Sequence, residues 1–234
     1  MVGTLINVGA ILAGSAAGLL IGSRLPERMR ETVMHGLGLV TILIGFQMAL
    51  EAKNVLIVLG AMLIGGMIGE LFKIHQRLES FGERLMSLIS KGSGRRAGEA
   101  FVTSSLVYCV GPMAILGSIQ DGLSGDYRLL AVKSMLDGFA SIAFAASLGW
   151  GVLPSAISIL VYQGTITLFA GTFSRILTDP MIAEMSATGG VIIVGIGMKL
   201  MDLKDLRLAN FVPAIAFAPV LVWIVPHVRA FLGF

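Results

Sequence analysis

The sequence consists largely of apolar stretches about twenty residues long, separated by short segments that carry most of its charged residues. A helix of about 20 apolar residues is long enough to cross the hydrocarbon core of a bilayer. Charged residues make up 13% of the 234 residues, about half of the roughly 25% that is usual in soluble domains. We therefore predict an all-α integral membrane protein, and its 30 glycines favour close packing of the helices.

We predict about eight transmembrane helices in a single domain that covers residues 1–234. Their approximate bounds are 4–22, 35–51, 54–72, 100–120, 129–149, 152–174, 183–201 and 209–230. The first stretch has no basic residue before it, and Arg24 and Arg28 follow it, so we expect a retained span and not a signal peptide. With that end outside, twelve of the 17 Lys and Arg residues fall on the inner side, and the positive-inside rule places both termini outside.

Residues 74–98 join the third span to the fourth and are too short and too charged to cross a membrane. Their apolar residues recur at helical spacing: Ile74, Leu78, Phe81, Leu85 and Leu88. We expect a cytoplasmic amphipathic helix, followed by a basic linker between the two halves of the protein. Such a helix lies on the membrane surface or packs on another subunit, so a homo-oligomer is among the expected assemblies.

Two segments of the chain resemble each other. GLVTILIGFQMALEAK, residues 38–53, aligns with GVIIVGIGMKLMDLKD, residues 190–205, with glycines matched at both ends of a seven-residue interval. Spans 1–3 would then correspond to spans 6–8, and the odd offset of five spans would invert one copy relative to the other. Inverted-topology repeats are typical of secondary transporters, although chance also produces such matches between segments rich in Gly, Ile and Val.

The motif Ser-x-x-Asp-Gly occurs twice, sixteen residues apart. The second copy places Asp137 about nine residues into a span, with Ser134 and Ser141 at the spacing of one helix face. A carboxylate at membrane depth is costly and indicates a functional site. Lys133 lies four residues before Asp137, and an ion pair within the helix is the structural alternative.

The first copy places Asp121 near the end of the fourth span, among residues that form turns. Pro112 lacks a backbone N–H, so we predict a broken or kinked helix that leaves the Tyr108 carbonyl without its helical partner. In the functional interpretation GSIQDG, with Gln120 and Asp121, forms a re-entrant mouth whose oxygens suit a small cation. In the structural interpretation Asp121 caps a turn and Pro112 causes an ordinary kink.

Gln163, within YQGT, is a further candidate because its neighbours are polar and small. Other polar residues in the spans, Asn7 among them, more often form helix–helix hydrogen bonds than bind ligands. The sequence has none of the nucleotide-binding, zinc-protease or nucleophile-elbow motifs, and its three histidines lack metal-ligand spacing. We expect no enzyme, no cofactor and no nucleic-acid partner, and the sequence assigns no metal.

Several motifs are shared with one family. GPMAILGSIQDGLSGD, KSMLDG, FASIAFA and YQGT, and GTLINVGAILAGSAAGLLIG near the start, resemble an uncharacterised bacterial membrane family, domain of unknown function 554. This resemblance covers essentially the whole chain. It implies a multi-pass bundle in the bacterial inner (plasma) membrane, with transport as a suspected role. A weaker similarity relates SMLDGFASIAFA to the Asp-Ala-Phe-Ala segment of manganese exporters, but Gly138 stands where that motif has Ala.

The sequence supports two functions. The first is a secondary transporter or channel-like permease for a small solute, a cation included. Asp137 and Asp121 would bind the ion or proton. Three residues would complete the site: Ser134, Ser141 and Gln163. The second function is that of a non-transporting membrane scaffold or regulatory subunit, in which the ion pair is purely structural. In either case the lipid bilayer is the expected surrounding, and a small solute or ion is the expected partner of a transporter.

Overall fold

The computed structural model describes residues 1–23, 26–89 and 95–232. Its helices are α1 (Val2–Gly22), α2 (Glu27–Ala49), α3 (Val55–Leu71), α4 (Ile74–Ile89), α5 (Arg95–Cys109), α6 (Pro112–Ser124), α7 (Arg128–Leu148), α8 (Ser155–Leu168), α9 (Ala170–Ile176), α10 (Asp179–Leu200) and α11 (Val212–Leu232). Short 3-10 turns, Gly149–Val152 and Leu208–Phe211, come before α8 and α11. These ranges contain no strand, so the fold is all-α as predicted.

Five helices of the described chain are long and apolar enough to cross a membrane: α1, α2, α7, α10 and α11. Three helix pairs, α3–α4, α5–α6 and α8–α9, pass the same test together but are bent by 58°, 64° and 75°. The bundle therefore has five such spans, or up to eight if each bent pair is one span. Large apolar side chains cover its outer surface, among them Leu5, Leu39, Leu63 and Phe139. The prediction of an all-α membrane bundle is confirmed, and the predicted eight spans are the upper limit of this range.

The fourth span is broken beside Pro112, as predicted. α5 ends at Cys109 and α6 begins at Pro112, with a bend of 64° between the two helices. Gly111 has a φ of +147°, which residues with a Cβ rarely adopt. Pro112 has no N–H with which to continue the hydrogen bonds of α5. Two adjacent residues thus account for the break.

The sixth span differs from the continuous stretch expected at 152–174. α8 begins at Ser155, and α9 departs from it at a bend of 75° around Phe169. Phe169 has a φ of −102° and a ψ of 24°, outside the α-helical range. Its neighbours Leu168 and Ala170 both favour helices. The residues next to the bend therefore do not predict a break, and we attribute it to the packing of this segment.

Close contacts between helices determine the directions of the spans. α1 and α7 run parallel, with Gly3 beside Leu130 and Gly22 beside Ala146. α2 runs antiparallel to α10, and α3 runs antiparallel to α11. The contacts that show this are Gly38–Gly197, Gly45–Gly190, Gly60–Leu221 and Gly69–Asn210. α1 therefore begins, and α11 ends, on the same face of the bundle, which we call the N-terminal face. The inverted-topology repeat of spans 1–3 and 6–8 stays a prediction.

The predicted amphipathic segment forms α4 and packs on α5. The rings of Phe81 and Phe101 lie 5.8 Å apart, tilted by 58°. Of the expected basic linker, residues 90–94 lie outside the described part of the chain, and α5 already begins at Arg95. At least one apolar contact of α4 is therefore made within its own chain.

Candidate functional site

A buried ion pair lies in the middle of α7. Lys133 and Asp137 are one helical turn apart, and the Lys133 ammonium group donates a hydrogen bond to Asp137 Oδ2. Their side chains are 7% and 10% exposed. The spacing of the two residues predicts such a pair. Because water is largely excluded, each charge depends on the other for compensation.

Asn7 of α1 connects the ion pair to α8. Its Nδ2 lies 2.9 Å from Asp137 Oδ2 and 3.4 Å from Gln163 Oε1. Nearby, Thr4 Oγ1 lies 3.4 Å from Thr167 Oγ1. Asn7 and Gln163 are fully buried, and Asn7 Oδ1 and Gln163 Nε2 have no hydrogen-bond partner among the described residues. A buried donor and a buried acceptor that are unpaired are unfavourable, and a buried water molecule would satisfy both.

A cavity of about 380 Å³ adjoins the ion pair. Residues 111–113 form part of its wall, so the break between α5 and α6 faces it. Its ionisable lining residues within the described chain are Glu51, Lys133 and Asp137. Most other lining residues are apolar, among them Ile44, Met48, Val107, Val110, Leu136 and Ile193. The structure thus brings the predicted carboxylate and the predicted helix break to one cavity.

Asp121 lies nearer to the N-terminal face than the ion pair does. Its Oδ2 accepts a hydrogen bond from the Gly3 N–H at 3.0 Å and lies 2.9 Å from the Met1 amino group. Gly3 and Asn7 are one turn apart on α1. The two carboxylates singled out by the repeated motif, Asp121 and Asp137, therefore bind successive turns of the same helix.

The segment GSIQDG, expected to form a re-entrant mouth, is helical. Residues 117–122 belong to α6, which continues to Ser124. Gln120 is exposed whereas Asp121 is buried, so the structure does not bring the Gln120 side chain into the buried network. The fourth span breaks just before Pro112, as predicted, because Gly111 and Pro112 are the residues that cannot continue α5.

Ser134 and Ser141 bond mainly to the backbone of their own helix. Ser134 Oγ donates to the Leu130 carbonyl at 2.6 Å. Ser141 Oγ lies 2.7 Å from the Asp137 carbonyl oxygen and 2.8 Å from the Tyr108 hydroxyl. Tyr108 was predicted to contribute its carbonyl, but the structure shows its buried hydroxyl joining α5 to α7. The hydroxyl group of such a serine has its hydrogen-bond acceptor within its own helix, and this bond can bend the helix.

A family model described as Protein of unknown function (DUF554) matches residues 2–223. The chain belongs to the DUF554 family. This assignment confirms the resemblance seen in its motifs. The description of the family names no activity.

Two bacterial proteins are similar to this chain over nearly its whole length. The chain is 27% identical over 229 residues to the uncharacterized membrane protein YdfK of Bacillus subtilis (strain 168), covering 96% of this chain and 97% of the relative. It is 29% identical over 222 residues to the uncharacterized protein YqgA of Escherichia coli (strain K12), covering 93% and 94%. No solved structure gives a significant match.

Glu184 is a further buried carboxylate, which no sequence motif predicted as a site residue. It is 1% exposed, and its Oε1 accepts hydrogen bonds from the N–H groups of Lys53 at 2.9 Å and Asn54 at 2.7 Å. Ser186 Oγ donates to Glu51 Oε2 at 2.8 Å. Two carboxylates thus tie the α2–α3 turn to the start of α10. The available signal was an acidic residue in the second turn of an otherwise apolar helix.

Replacing Glu184 with Ala is expected to loosen the α2–α3 turn, because the N–H groups of Lys53 and Asn54 lose their acceptor. We expect the free energy of unfolding to fall by about 1–2 kcal/mol, since water can replace part of each lost hydrogen bond. Hydrogen–deuterium exchange should become faster in a peptide that covers this turn. Glu184→Gln keeps one carbonyl oxygen and serves as the control. Equal exchange in wild type and Glu184→Ala would contradict the role given to the carboxylate.

Charged residues gather at the face opposite the N-terminal face. Lys199 Nζ lies 2.7 Å from Glu99 Oε1 and 3.0 Å from Asp205 Oδ1. Cavities of about 260 Å³ and 340 Å³ adjoin them. Across the described ranges, no group of three or more His, Cys, Asp or Glu side chains could hold a metal ion.

Proposed function

We propose that this DUF554 protein is a secondary transporter or channel-like permease for a small solute, a cation included. The observation that carries the proposal is the buried Lys133–Asp137 pair, which lines a cavity beside a broken helix. Ionisable residues inside membrane-spanning helices are costly and mark solute and ion pathways. Secondary transporters bind their solutes near the bilayer midplane at discontinuous helices, and the break between α5 and α6 has this character.

The depth of Asp137 supports this proposal. Asp137 is nine residues from the start of α7 at Arg128, about 14 Å at 1.5 Å per residue. This is about half of a hydrocarbon core of roughly 30 Å. On α10, Ile193 lines the cavity beside the ion pair and Lys199 lines the cavities of the opposite face, with buried Ile196 between them.

The proposed roles follow from the contacts. Asp137 is the solute-binding carboxylate and Lys133 is its counter-charge. Asn7 positions Asp137, and Gln163 in turn accepts a hydrogen bond from Asn7. Asp121 binds the first turn of α1 through the Gly3 N–H. Asn7 lies on the next turn of the same helix. This function needs no catalytic residue and no cofactor.

The same proposal places the protein in the inner (plasma) membrane of a bacterium, with both termini outside. Twelve of its 17 Lys and Arg residues would then be cytoplasmic, in agreement with the positive-inside rule. The directions of the helices support this topology, because α1 begins and α11 ends on one face of the bundle.

Flux measurements on proteoliposomes test the proposal. Protons, sodium, potassium, manganese and small metabolites would each be tried with wild type, Asp137→Asn and Asp126→Asn. We expect Asp137→Asn to reduce the flux of the transported solute at least about tenfold, which corresponds to the loss of about 1.4 kcal/mol of binding. Asp126 is exposed and pairs with Arg128, so Asp126→Asn should keep the flux. Equal flux through wild type and Asp137→Asn for every solute would refute a role of this carboxylate in transport.

A specific observation also favours a second candidate, a non-transporting scaffold or regulatory subunit. Lys133 and Asp137 are on the same helix and neutralise each other without any contribution from a solute. In a scaffold this pair would stabilise the bundle and nothing more. Removal of both charges would then leave the function of the protein intact, whereas it would abolish transport.

A further inference from the structure

Charge balance limits what can occupy the cavity beside Lys133 and Asp137. Each of these buried side chains compensates the other. Glu51, the third ionisable lining residue of the described chain, is exposed and accepts a hydrogen bond from Ser186, so its charge is not buried. A single cation bound to Asp137 would take the place of Lys133 and leave its ammonium group without a counter-charge. A single anion bound to Lys133 would likewise leave the Asp137 carboxylate without a counter-charge. Because an uncompensated buried charge is strongly unfavourable, the cavity favours a solute that carries one charge of each sign.

The helix break adds a second pair of opposite charges at the same place. α6 is 13 residues long, and no side chain caps its start at residues 111–113, which line the cavity. Its N-terminus carries a partial positive charge, whereas the C-terminus of α5, next to it, carries a partial negative charge. Val107 and Val110 bring this end of α5 to the cavity. The ends of broken helices bind charged groups of solutes in this way in secondary transporters.

Apart from Thr41, Gln47 and Glu51, the remaining side chains that line the cavity are apolar and suit an aliphatic group. Ile44, Met48 and Leu136 are among its apolar residues. Its volume of about 380 Å³ is near the lower end of the range of about 300–1,000 Å³ for small-molecule sites. A compact solute with a short apolar side chain would fill this space, and a bare ion would leave most of it empty.

We propose that the solute is a small zwitterion of the α-amino-acid type with an aliphatic side chain. Its carboxylate would bind Lys133 and the start of α6. Its ammonium group would bind Asp137, and its side chain would lie among the apolar residues. Both buried charges stay compensated when the solute enters and when it leaves. This inference rests on the proposed transport function and names its substrate class.

Thermal unfolding of the purified protein tests the substrate class. The probes are valine, isobutylamine, which is valine without its carboxylate, and isovalerate, which is valine without its ammonium group. We expect valine at about 100 times its Kd to raise the unfolding midpoint by about 5 °C, and each single-charge analogue to have little effect. A variant with both Lys133→Met and Asp137→Leu should lose the response to valine. This variant is expected to fold because no charge is left unpaired.

A transport measurement separates this inference from the function on which it rests. Proteoliposomes would be assayed for uptake of labelled valine, with both analogues as competitors, and for flux of protons and metal cations. Valine uptake that neither analogue inhibits is the expected result. If an analogue stabilises the protein as well as valine does, the proposed substrate class is wrong. If protons or metal cations alone are transported, the substrate class is wrong and the transport function is supported. If valine binds and nothing is transported, the transport function is wrong. If valine neither binds nor moves and no ion moves, both are wrong.

Discussion

Replacing either member of the Lys133–Asp137 pair alone is expected to lower the free energy of unfolding by about 3–5 kcal/mol. In Lys133→Met the Asp137 carboxylate keeps the Asn7 hydrogen bond but loses its counter-charge. In Asp137→Leu the Lys133 ammonium group is left in an apolar surrounding. The two side chains are only 7% and 10% exposed, so hydration replaces the missing partner only in part. Chemical unfolding in mixed micelles would measure the loss.

The double variant, Lys133→Met with Asp137→Leu, is expected to recover most of this stability. Replacing both members of a buried ion pair by apolar residues of similar volume is often neutral or stabilising. Asn7 and Gln163 would keep each other as partners. A double variant that is less stable than both single variants would show that the pair is not an isolated unit.

The same double variant distinguishes the two candidate functions. If the protein is a transporter, the variant should be folded and inactive, because the charges that bind the solute are gone. If the protein is a scaffold or a regulatory subunit, the variant should be folded and fully functional. Comparing flux with stability in one sample therefore separates a structural ion pair from a solute-binding one.

Gly14→Ala is expected to destabilise the contact between α1 and α7 by about 3 kcal/mol, the upper end of the usual cost of overpacking. A Cβ at Gly14 would clash with the carbonyl oxygen of Gly138, and it would lie 3.1 Å from Ser141 Cβ. The obstacle is backbone within a helix, which cannot turn aside as a flexible side chain can. Small residues allow membrane helices to approach in this way.

Gly9→Ala is the matched control on the same helix. No atom lies within 4 Å of a Cβ built at Gly9, and the residue is exposed. Alanine should therefore stabilise α1 there by about 0.5–1 kcal/mol through its higher helix propensity. The thermal unfolding midpoint in detergent would be compared for both variants. If the two substitutions shifted the midpoint equally, the close contact of α1 with α7 would not be an important source of stability.

The sequence predicted the parts of the site that depend on neighbours within one helix. Lys133 and Asp137 are four residues apart, so a helix alone brings them together. The break beside Pro112 is local in the same sense, because a missing N–H prevents the hydrogen bond wherever the helix lies. In both cases the physical cause acts within a few residues.

The partners of the ion pair could not be predicted in this way. Asn7, Gln163 and Asp137 come from three helices and are more than twenty residues apart in the sequence. Asn7 was predicted to form helix–helix hydrogen bonds, which it does, but its place beside Asp137 follows from the packing of α1 against α7 and α8. Glu184 was missed because its hydrogen bonds go to the backbone of a distant turn, which leaves no pattern around Glu184 itself.

What the sequence determined by itself was the membrane environment, the all-α fold, the break in the fourth span and the i,i+4 pair at Lys133 and Asp137. Bilayer thickness and helix periodicity suffice for these conclusions. Only the tertiary structure decided that Asp121 and Asp137 hold successive turns of α1, that Gln120 lies outside the network, and that the α5–α6 break faces the cavity of the ion pair. These relations depend on which helix faces meet, and that is set by the fit of side chains between segments far apart in the chain.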